Sequence, residues 1–207
     1  MSWSHVITDP AQLQDALGGP PDPMIEAVKQ PALDTHARAF LALSPFCLIS
    51  THGADGRADV SPRGDAPGFA LVLDDRRLVI PERLGNRLAD SLRNIMQTGQ
   101  IGMLFLVPGF GESMRINGRA QVIADPELME RMAFNGRVPK VGIAVEIEEV
   151  FVHCARCMLR SGLWTNAARR DRKEWISLAG LMIAQQETGM TLDEMQEVVD
   201  DDYRTLY

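Results

Sequence analysis

The sequence lacks any apolar run of roughly 18 residues, the length that a membrane-spanning helix needs, and shows no charged and then apolar leader. We therefore expect neither a membrane span nor a signal peptide, and a cytoplasmic location. Basic residues are also in short supply, since 21 Lys and Arg stand against 28 Asp and Glu for a net charge of −7. Binding to phosphate backbones needs a concentrated surplus of Lys and Arg, so nucleic acid is not the expected partner.

Cysteine is scarce as well, with three residues in the whole chain. This odd count has no framework spacing, which argues against a disulfide scaffold. Cys47 lies in an apolar run, whereas Cys154 and Cys157 form a C-x-x-C pair in HCARC, directly after His153. Such a pair could be half of a zinc site, but a structural site usually needs four ligands and the sequence has no second pair. Redox use would require an exposed, activated thiolate. We predict no metal site, and buried or half-buried cysteines.

The pattern of breakers and apolar residues divides the chain into three parts. Residues 1–30, with the breaker GGPPDP at 18–23, predict an N-terminal arm. Residues 31–164 predict a barrel domain. Residues 165–207 are helical in character, with Trp175, Leu178, Leu181 and Met182 on one helical face and a capping box at 191–194. We expect this last part to pack on the barrel or on a partner subunit.

Short strands dominate the middle part. Helices are predicted at 34–43 and 88–96, and strands at 46–50, 58–62, 69–73, 77–80, 101–107, 114–123 and 141–152. About seven short strands with a single helix between them favour an antiparallel barrel over a βαβ sheet. The predicted fold is therefore mainly β with flanking helices.

Three polar clusters fall where predicted strands begin or end: VSPRGD at 60–65, PERLGNRLADSLRN at 81–94 and SMRIN at 113–117. In the third, Arg115 and Asn117 share one strand face, while Met114 and Ile116 share the other. A polar face of this kind could bind the edge of a heteroaromatic ring. An ordinary surface strand would give the same pattern.

The second cluster has the composition of a phosphate site. Arg83, Asn86 and Arg87 come just before a predicted helix, so guanidinium groups, backbone N–H groups and the helix dipole could converge on an anion. The alternative is that these arginines are solvated or form ion pairs with Glu82 and Asp90.

Four segments, VSPRGD, IPERLGNRLADSLRNI, MRINGRA and LRSGLW, occur in an order and spacing that resemble the flavin-binding split barrels of the pyridoxamine 5′-phosphate oxidase type, and in particular a bacterial subfamily of oxidase-like proteins. The resemblance covers roughly Ala32 to Trp164. It implies an antiparallel split β-barrel of the FMN-binding type. It also implies a homodimer that holds FMN at a site shared between its subunits.

The resemblance also implies roles for individual residues. Arg63 falls at a basic FMN-binding position, Asn86 and Arg87 fall where the oxidases carry two adjacent basic phosphate ligands, and Arg160 and Trp164 stand for groups contributed by the other subunit. The expected cofactor-binding residues are Ser61, Arg63, Ile80, Pro81, Arg83, Asn86, Arg87, Ser113, Arg115, Arg160 and Trp164.

The chain departs from the oxidase pattern at several positions. Pro81 has no hydroxyl where the oxidases usually offer one, and Asn86 removes a positive charge for which Arg83 could compensate. The C-terminal Arg-x-His element of the true oxidases is absent from the sequence, so oxidation of vitamin B6 is not the expected reaction. In VSPRGD, we predict that Pro62 ends the strand ladder and that Asp65 orients an arginine. A sheet corner with an ion pair is the structural alternative.

The expected activity is that of an FMN-dependent oxidoreductase, which transfers hydride through FMN to or from a small substrate, with NAD(P)H as a candidate. No side chain stands out as a general acid or base, so catalytic residues stay unassigned. Two alternatives remain open. One is a non-enzymatic flavin-binding or flavin-storage protein, and the other is a split barrel that binds another phosphorylated ligand or haem in the same cleft.

Overall fold

A computed structural model of the chain describes residues 3–206. The helices in this range are α1 (Pro10–Ala16), α2 (Pro23–Ala27), α3 (Thr35–Leu43), α4 (Asp90–Thr98), α5 (Pro126–Arg131), α6 (Arg156–Ser161), α7 (Leu178–Gln185) and α8 (Leu192–Arg204). The strands are β1 (Phe46–His52), β2 (Ala58–Gly64), β3 (Leu71–Val72), β4 (Arg77–Pro81), β5 (Gln100–Leu106), β6 (Ser113–Ile123) and β7 (Gly142–His153).

The seven strands form one antiparallel sheet in the order β2-β1-β5-β6-β7-β4-β3. The predicted fold, mainly β with flanking helices, is confirmed. Each predicted strand is present, although the segment 69–73 contributes only Leu71–Val72 to the ladder. The sheet leaves β2 and β3 as its two edges.

The prediction that Pro62 ends the strand ladder is wrong. Pro62 pairs with Leu48, and the ladder continues through Arg63 to Gly64, which pairs with Phe46. The physical reason is the position of β2 at the sheet edge. A proline lacks an N–H group, and an edge strand tolerates that loss because only one of its sides is paired.

The main hydrophobic core lies against the inner face of the curled sheet. Its fully buried side chains come from alternate positions of the central strands, as in Ile49 of β1, Phe105 of β5 and Ile116 of β6. β4 is buried on both faces. Leu78 and Ile80 belong to the main core, while Val79 lies in a second cluster with Met129 and Met132, in and just after α5. The run of consecutive apolar residues in β4 is explained by this double coverage.

A β-bulge interrupts the longest ladder, between β6 and β7, at the step from Asn117 to Gly118. A Cβ atom at Gly118 would lie 2.0 Å from the main-chain oxygen of Glu146, so only glycine fits there. The bulge also shifts the buried face of β7. The predicted alternation is confirmed as far as Ile147, and the next buried position on the strand is Val150.

The two ends of the chain pack differently from the barrel. α1 and α2 bury none of their residues, and the segment after them joins β7 through a main-chain bridge between Gln30 and Val150. α7 and α8 bury Ala179, Met195 and Val199 in a cluster separate from those of the barrel. None of the helices within residues 3–206 has both the length and the apolar character needed to cross a membrane.

Of the two features predicted for the C-terminal part, the capping box is confirmed, and the apolar helical face is wrong at one residue. The capping box that opens α8 is confirmed, since Thr191 and Glu194 bond reciprocally to each other's backbone N–H groups. The predicted apolar helical face is wrong at Trp175. This residue lies before α7, directly after a 3-10 turn, and 64% of it is exposed.

Candidate functional site

A row of polar side chains lies on the concave face of β2. Asp59, Ser61 and Arg63 alternate with exposed residues and are half-buried because β2 is an edge strand. The Nη1 of Arg63 donates to Ser61 Oγ at 2.6 Å and to the carbonyl of Pro62 at 2.9 Å. The guanidinium of Arg63 is therefore held in one orientation by its own strand.

Two ion pairs connect this end of β2 to the segment that follows β4. Arg63 donates from Nε to Glu82 Oε2 at 3.2 Å, and its Nη2 lies 3.1 Å from the same oxygen. In the second pair the arginine comes from the segment after β4 and the carboxylate from the end of β2: Arg83 Nε donates to Asp65 Oδ2 at 2.5 Å. The Asp65 side chain is 1% exposed, and its second oxygen accepts from the N–H of Ala66 at 2.7 Å.

These crossed pairs close the barrel. β2 stands first and β4 sixth in the sheet order, so no ladder pairs them in the described part of the chain. The sheet must curl for their ends to meet, and side-chain ion pairs replace the missing main-chain hydrogen bonds. Asp65 orients an arginine, as the sequence predicted, and the arginine is Arg83. The ion pair between Arg63 and Glu82 agrees with the structural alternative for VSPRGD, a corner with an ion pair, although Glu82 was not named as the partner of Arg63.

The loop at residues 82–89 leads from this closure to the N-terminus of α4 and has an unusual backbone. Arg87 and Ala89 both adopt the left-handed conformation, with φ of 60° and 57°. Asn86 Oδ1 accepts from the N–H of Leu88 at 3.0 Å, which tightens the turn. A left-handed non-glycine residue costs of order 1–2 kcal/mol, so two within three residues mark a strained segment.

The start of α4 has unused donors. Its N-cap residue Ala89 offers no side-chain acceptor to the first N–H groups of the helix. The guanidinium of Arg87 is exposed and has no ion-pair partner among residues 3–206. Free N–H groups at a helix N-terminus and a nearby guanidinium together favour an anion.

Helix α4 is fixed to the β1–β2 hairpin by side-chain hydrogen bonds. Ser91 Oγ donates to Asp59 Oδ2 at 2.6 Å, and Asn94 Nδ2 donates to Thr51 Oγ1 at 3.1 Å. These contacts hold the N-terminus of α4 beside the polar row of β2. Asp59 was missed by sequence reasoning, although its spacing of two and four residues from Ser61 and Arg63 was a usable signal.

The predicted site residues at the end of β4 are buried. The side chain of Ile80 is 0% exposed and belongs to the main core, and Pro81 is buried beside it. Side-chain contact between Ile80 and a ligand is therefore not available in this arrangement, which leaves the main chain of β4 as the part that could contribute.

The predicted residues on β6 lie on the other face of the sheet. Through the successive pairs of the ladder, Arg63 shares a face with Cys47, Phe105 and Met114. Ser113 and Arg115, one position away on either side of Met114, therefore lie on the outer face, where Ser113 is nevertheless buried and Arg115 is half-buried. A single chain does not place them on the same face as the β2 row.

Arg115 is the centre of a polar group on that outer face. Its Nη2 donates to Glu149 Oε1 at 2.7 Å, and Asn117 Nδ2 donates to the same oxygen at 3.1 Å. The guanidinium carbon lies 4.9 Å from the ring centroid of Phe151. The Nε of Arg115 is buried and has no hydrogen-bond partner among the described residues, so this group retains one unused donor.

His153 extends this outer group at the end of β7, with its ring 4.7 Å from that of Phe151. Burial, followed by the positive charge of Arg115, lowers the pKa of His153 below its ordinary value, against an opposing effect of Glu149. The neutral form of the imidazole is therefore favoured in the folded protein.

The last two predicted site residues lie in and after α6. Arg160 is exposed in the last turn of that helix. Trp164 is 39% exposed, and its Nε1 donates to the carbonyl of Phe110 at 2.6 Å. This contact fixes Trp164 on the loop between β5 and β6. No hydrogen bond or ion pair among the described residues joins either of them to Arg63 or Arg87.

The prediction of buried or half-buried cysteines is confirmed for Cys47 but not for the other two cysteines. Cys47, opposite Arg63 on β1, is buried, and burial raises the pKa of its thiol to about 12 despite the nearby positive charge. Cys154 and Cys157 are exposed, so the expectation of buried or half-buried side chains is wrong for this pair. They follow the end of β7, where the chain leaves the sheet. Within residues 3–206, no group of three or more His, Cys, Asp or Glu side chains is arranged to hold a metal ion.

Known proteins provide an independent comparison. The chain is similar in structure to HupZ of Group A Streptococcus (17% identity, TM-score 0.48, covering 58% of this chain and 98% of that one). It is also similar to general stress protein 26 of Bacillus anthracis (13%, 0.43, covering 57% and 94%) and to an F420 reductase (16%, 0.42, covering 57% and 98%). No curated protein matches the chain in sequence.

A family model provides the assignment. The model described as pyridoxamine 5′-phosphate oxidase matches residues 33–154, which is more than half of the 207 residues. The matched range falls inside the one over which the resemblance was seen, and it contains the closed end of the barrel, the α4 loop and the outer polar group. The chain belongs to the pyridoxamine 5′-phosphate oxidase family.

Proposed function

We propose that the protein is a homodimeric, FMN-dependent oxidoreductase. Members of this family generally bind flavin, although some bind other ligands, and they are typically dimeric. The observation that carries the proposal is the anion-accepting turn before α4, in which Arg87 and the uncapped helix N-terminus lie next to the closed end of the barrel. Its chemistry suits a monoester phosphate, the group at one end of FMN.

The residues present fit such a cofactor at its phosphate end. Arg83 and Arg63 already form ion pairs with Asp65 and Glu82, so their charges are largely compensated. Arg87 is thus the strongest candidate for the phosphate ligand, with the first N–H groups of α4 as further donors. Asn86 lacks the positive charge found at this position in the oxidases, and Arg83 was expected to supply it to the phosphate. In this proposal Arg83 instead pairs with Asp65 and holds the loop in place.

A second copy of the chain would complete the site. Ser113 and Arg115 face away from the β2 row, so a cofactor that contacts both sets must lie between two chains. The outer face also carries half-buried apolar side chains, including Leu48, Leu104 and Leu106, around the Arg115 group. The unused Nε donor of Arg115 is then available to the second chain or to the ring of the cofactor.

Bound FMN would supply hydride transfer at its ring system. The chain's own contribution is to bind the phosphate at Arg87, to orient Arg63 through Ser61 and Glu82, and to exclude water through the second subunit. No side chain is assigned as a proton donor or acceptor. The substrate is a small molecule, with NAD(P)H a candidate reductant, and the cytoplasmic location expected from the sequence stays a prediction.

The test of the cofactor proposal is the affinity of purified protein for FMN, measured by quenching of flavin fluorescence. Arg87→Ala removes a charge-assisted contact but keeps a Cβ atom, so the left-handed backbone keeps the same steric cost. The loss should be about 1.5 to 3 kcal/mol, or roughly ten- to a hundredfold in affinity. Arg77→Ala is the matched control, because Arg77 is exposed and pairs with Asp74 in a distant turn.

Riboflavin separates the phosphate from the ring. It lacks the phosphate, so wild type should bind it more weakly than FMN, and Arg87→Ala should leave its affinity unchanged. Equal FMN titrations for the Arg87 and Arg77 variants would contradict the phosphate site. Anaerobic addition of NAD(P)H to the FMN complex then separates the two functions. In an oxidoreductase the visible absorbance of the flavin disappears as it is reduced, whereas in a flavin-storage protein that absorbance stays unchanged.

A further inference from the structure

We propose that Cys154 and Cys157 form a redox-active dithiol, which closes to an intrachain disulfide by exchange with a small acidic disulfide of the glutathione type. The site does not depend on bound flavin. It rests on three observations: the accessibility of both thiols, the backbone conformation of the two residues between them, and the charge around them.

Accessibility separates this pair from the third cysteine. Both thiols are exposed, whereas Cys47 is buried with its thiol pKa raised to about 12. Exchange proceeds by attack of a thiolate on an accessible disulfide sulfur, so Cys47 is excluded as a competing nucleophile in the folded protein.

The backbone places the two thiols at disulfide distance. The separation of the Cα atoms of Cys154 and Cys157 is set by the torsion angles of the two residues between them. Ala155 has φ −68° and ψ −6°, and Arg156 is the first residue of α6, so both are right-handed helical. Two such residues form a turn whose ends lie less than about 7 Å apart, and disulfides span Cα separations of about 4.4 to 6.8 Å.

Side-chain direction supports the same conclusion. Cys157 is the second residue of α6, and Cβ atoms in a helix tilt toward its N-terminus, which here is the side of Cys154. The turn is also held in place. A Cβ atom at Gly111 would lie 2.6 Å from the Cβ of Ala155, so the β5–β6 loop packs directly on the first of the two residues between the cysteines. Little rearrangement is needed to close the bond.

The charge around the pair favours an acidic partner. Arg156 adjoins Cys157, and Arg160 follows it by three residues, which makes it a neighbour on the helix surface. Positive charge next to an accessible thiol attracts a disulfide that carries carboxylates, as oxidised glutathione does. Arg160 is exposed and forms no ion pair among the described residues, so its charge is available for this purpose.

The exchange balances in two steps. One cysteine thiolate, its proton lost to solvent, attacks the disulfide, forming a mixed disulfide and releasing one glutathione thiolate, which takes up a proton. The second cysteine thiolate attacks the protein-side sulfur of the mixed disulfide, forming the Cys154–Cys157 bond and releasing the second glutathione. The dithiol loses two electrons, and the small disulfide gains them.

The test uses the full-length folded protein, treated with oxidised glutathione and analysed by intact mass and peptide mapping. Wild type and Cys47→Ser should lose two hydrogen atoms and yield a linked peptide that contains both cysteines. Cys154→Ser and Cys157→Ser should instead retain one glutathione each. Because the second thiol acts intramolecularly, the mixed disulfide should resolve at least about tenfold faster in wild type than in either variant.

Three outcomes would overturn the proposal. They are a wild type that keeps one or two glutathiones without forming the linked peptide, a disulfide that joins two chains, and a linked peptide that forms only after denaturation. Circular dichroism of the treated sample shows whether the protein stayed folded. If any of the serine variants misfolds, the mass and the linked peptide of the wild type alone still decide the outcome.

Discussion

The ion pair between Asp65 and Arg83 should be a main determinant of barrel stability, and Asp65→Asn tests this directly. The substitution keeps the shape of the side chain and one oxygen for the N–H of Ala66, but it removes the negative charge that faces Arg83. Arg83 would then remain in place with its partner uncharged. The barrel would lose an ion pair that joins the end of β2 to the segment after β4.

The magnitude follows from burial. Breaking a buried ion pair by changing one partner costs about 3 to 5 kcal/mol, because the other charge is left uncompensated. The Asp65 side chain is 1% exposed but that of Arg83 is 18% exposed, so water can reach part of the guanidinium. We expect the lower end, about 3 kcal/mol, which in a protein of this size lowers the melting temperature by about 6 to 12 °C.

Urea denaturation followed by circular dichroism measures the change in the free energy of unfolding. Asp55→Asn is the matched control, since Asp55 pairs with Arg57 at 2.7 Å in the β1–β2 turn but both side chains are more than half exposed. Its cost should be much smaller, because solvent screens an exposed ion pair and such pairs contribute little to stability. Replacing Arg83 by Met in the Asp65→Asn background should restore part of the loss, since the guanidinium that no longer faces a carboxylate at position 65 is then removed. Two results would refute the conclusion that this ion pair stabilises the closed barrel. One is an equal loss of unfolding free energy in Asp65→Asn and Asp55→Asn. The other is a double variant whose loss equals the sum of the losses of the two single variants.

Three further predictions concern other parts of the molecule. Arg63→Met should make bound FMN harder to reduce, with Arg63→Lys intermediate, as measured by the potential of the flavin; an unchanged potential in the Met variant would show that Arg63 only braces the barrel. Gly118→Ala should destabilise the protein by more than about 2 kcal/mol in urea titrations, because its Cβ would collide with a carbonyl of β7, whereas Gly85→Ala has open space and should change little. The lowered pKa of His153 means that the unfolded state binds its proton more readily, so stability should fall as pH drops below the ordinary histidine value of about 6.5, and His153→Gln should show a shallower fall.

Local pattern alone determined most of the fold. Period-two alternation and β-branched runs located the strands, and the capping box at Thr191 marks the start of α8 in both sequence and structure. The arginines before α4 were recognisable as a possible anion site because a helix start and basic residues are adjacent in the chain. Such features depend on neighbours within a few residues, and so a sequence displays them directly.

Only the tertiary structure decided which charges pair and which faces meet. Arg63 and Glu82 are 19 residues apart, and their contact exists because the curled sheet brings β2 to β4. The register of four strands placed Ser113 and Arg115 on the face opposite Arg63, which no single segment reveals. Pairing across a sheet depends on strand order and curvature, and these are set by the packing of the whole core. The basic residues that could bind an anion were therefore readable from the sequence, whereas their arrangement required the fold.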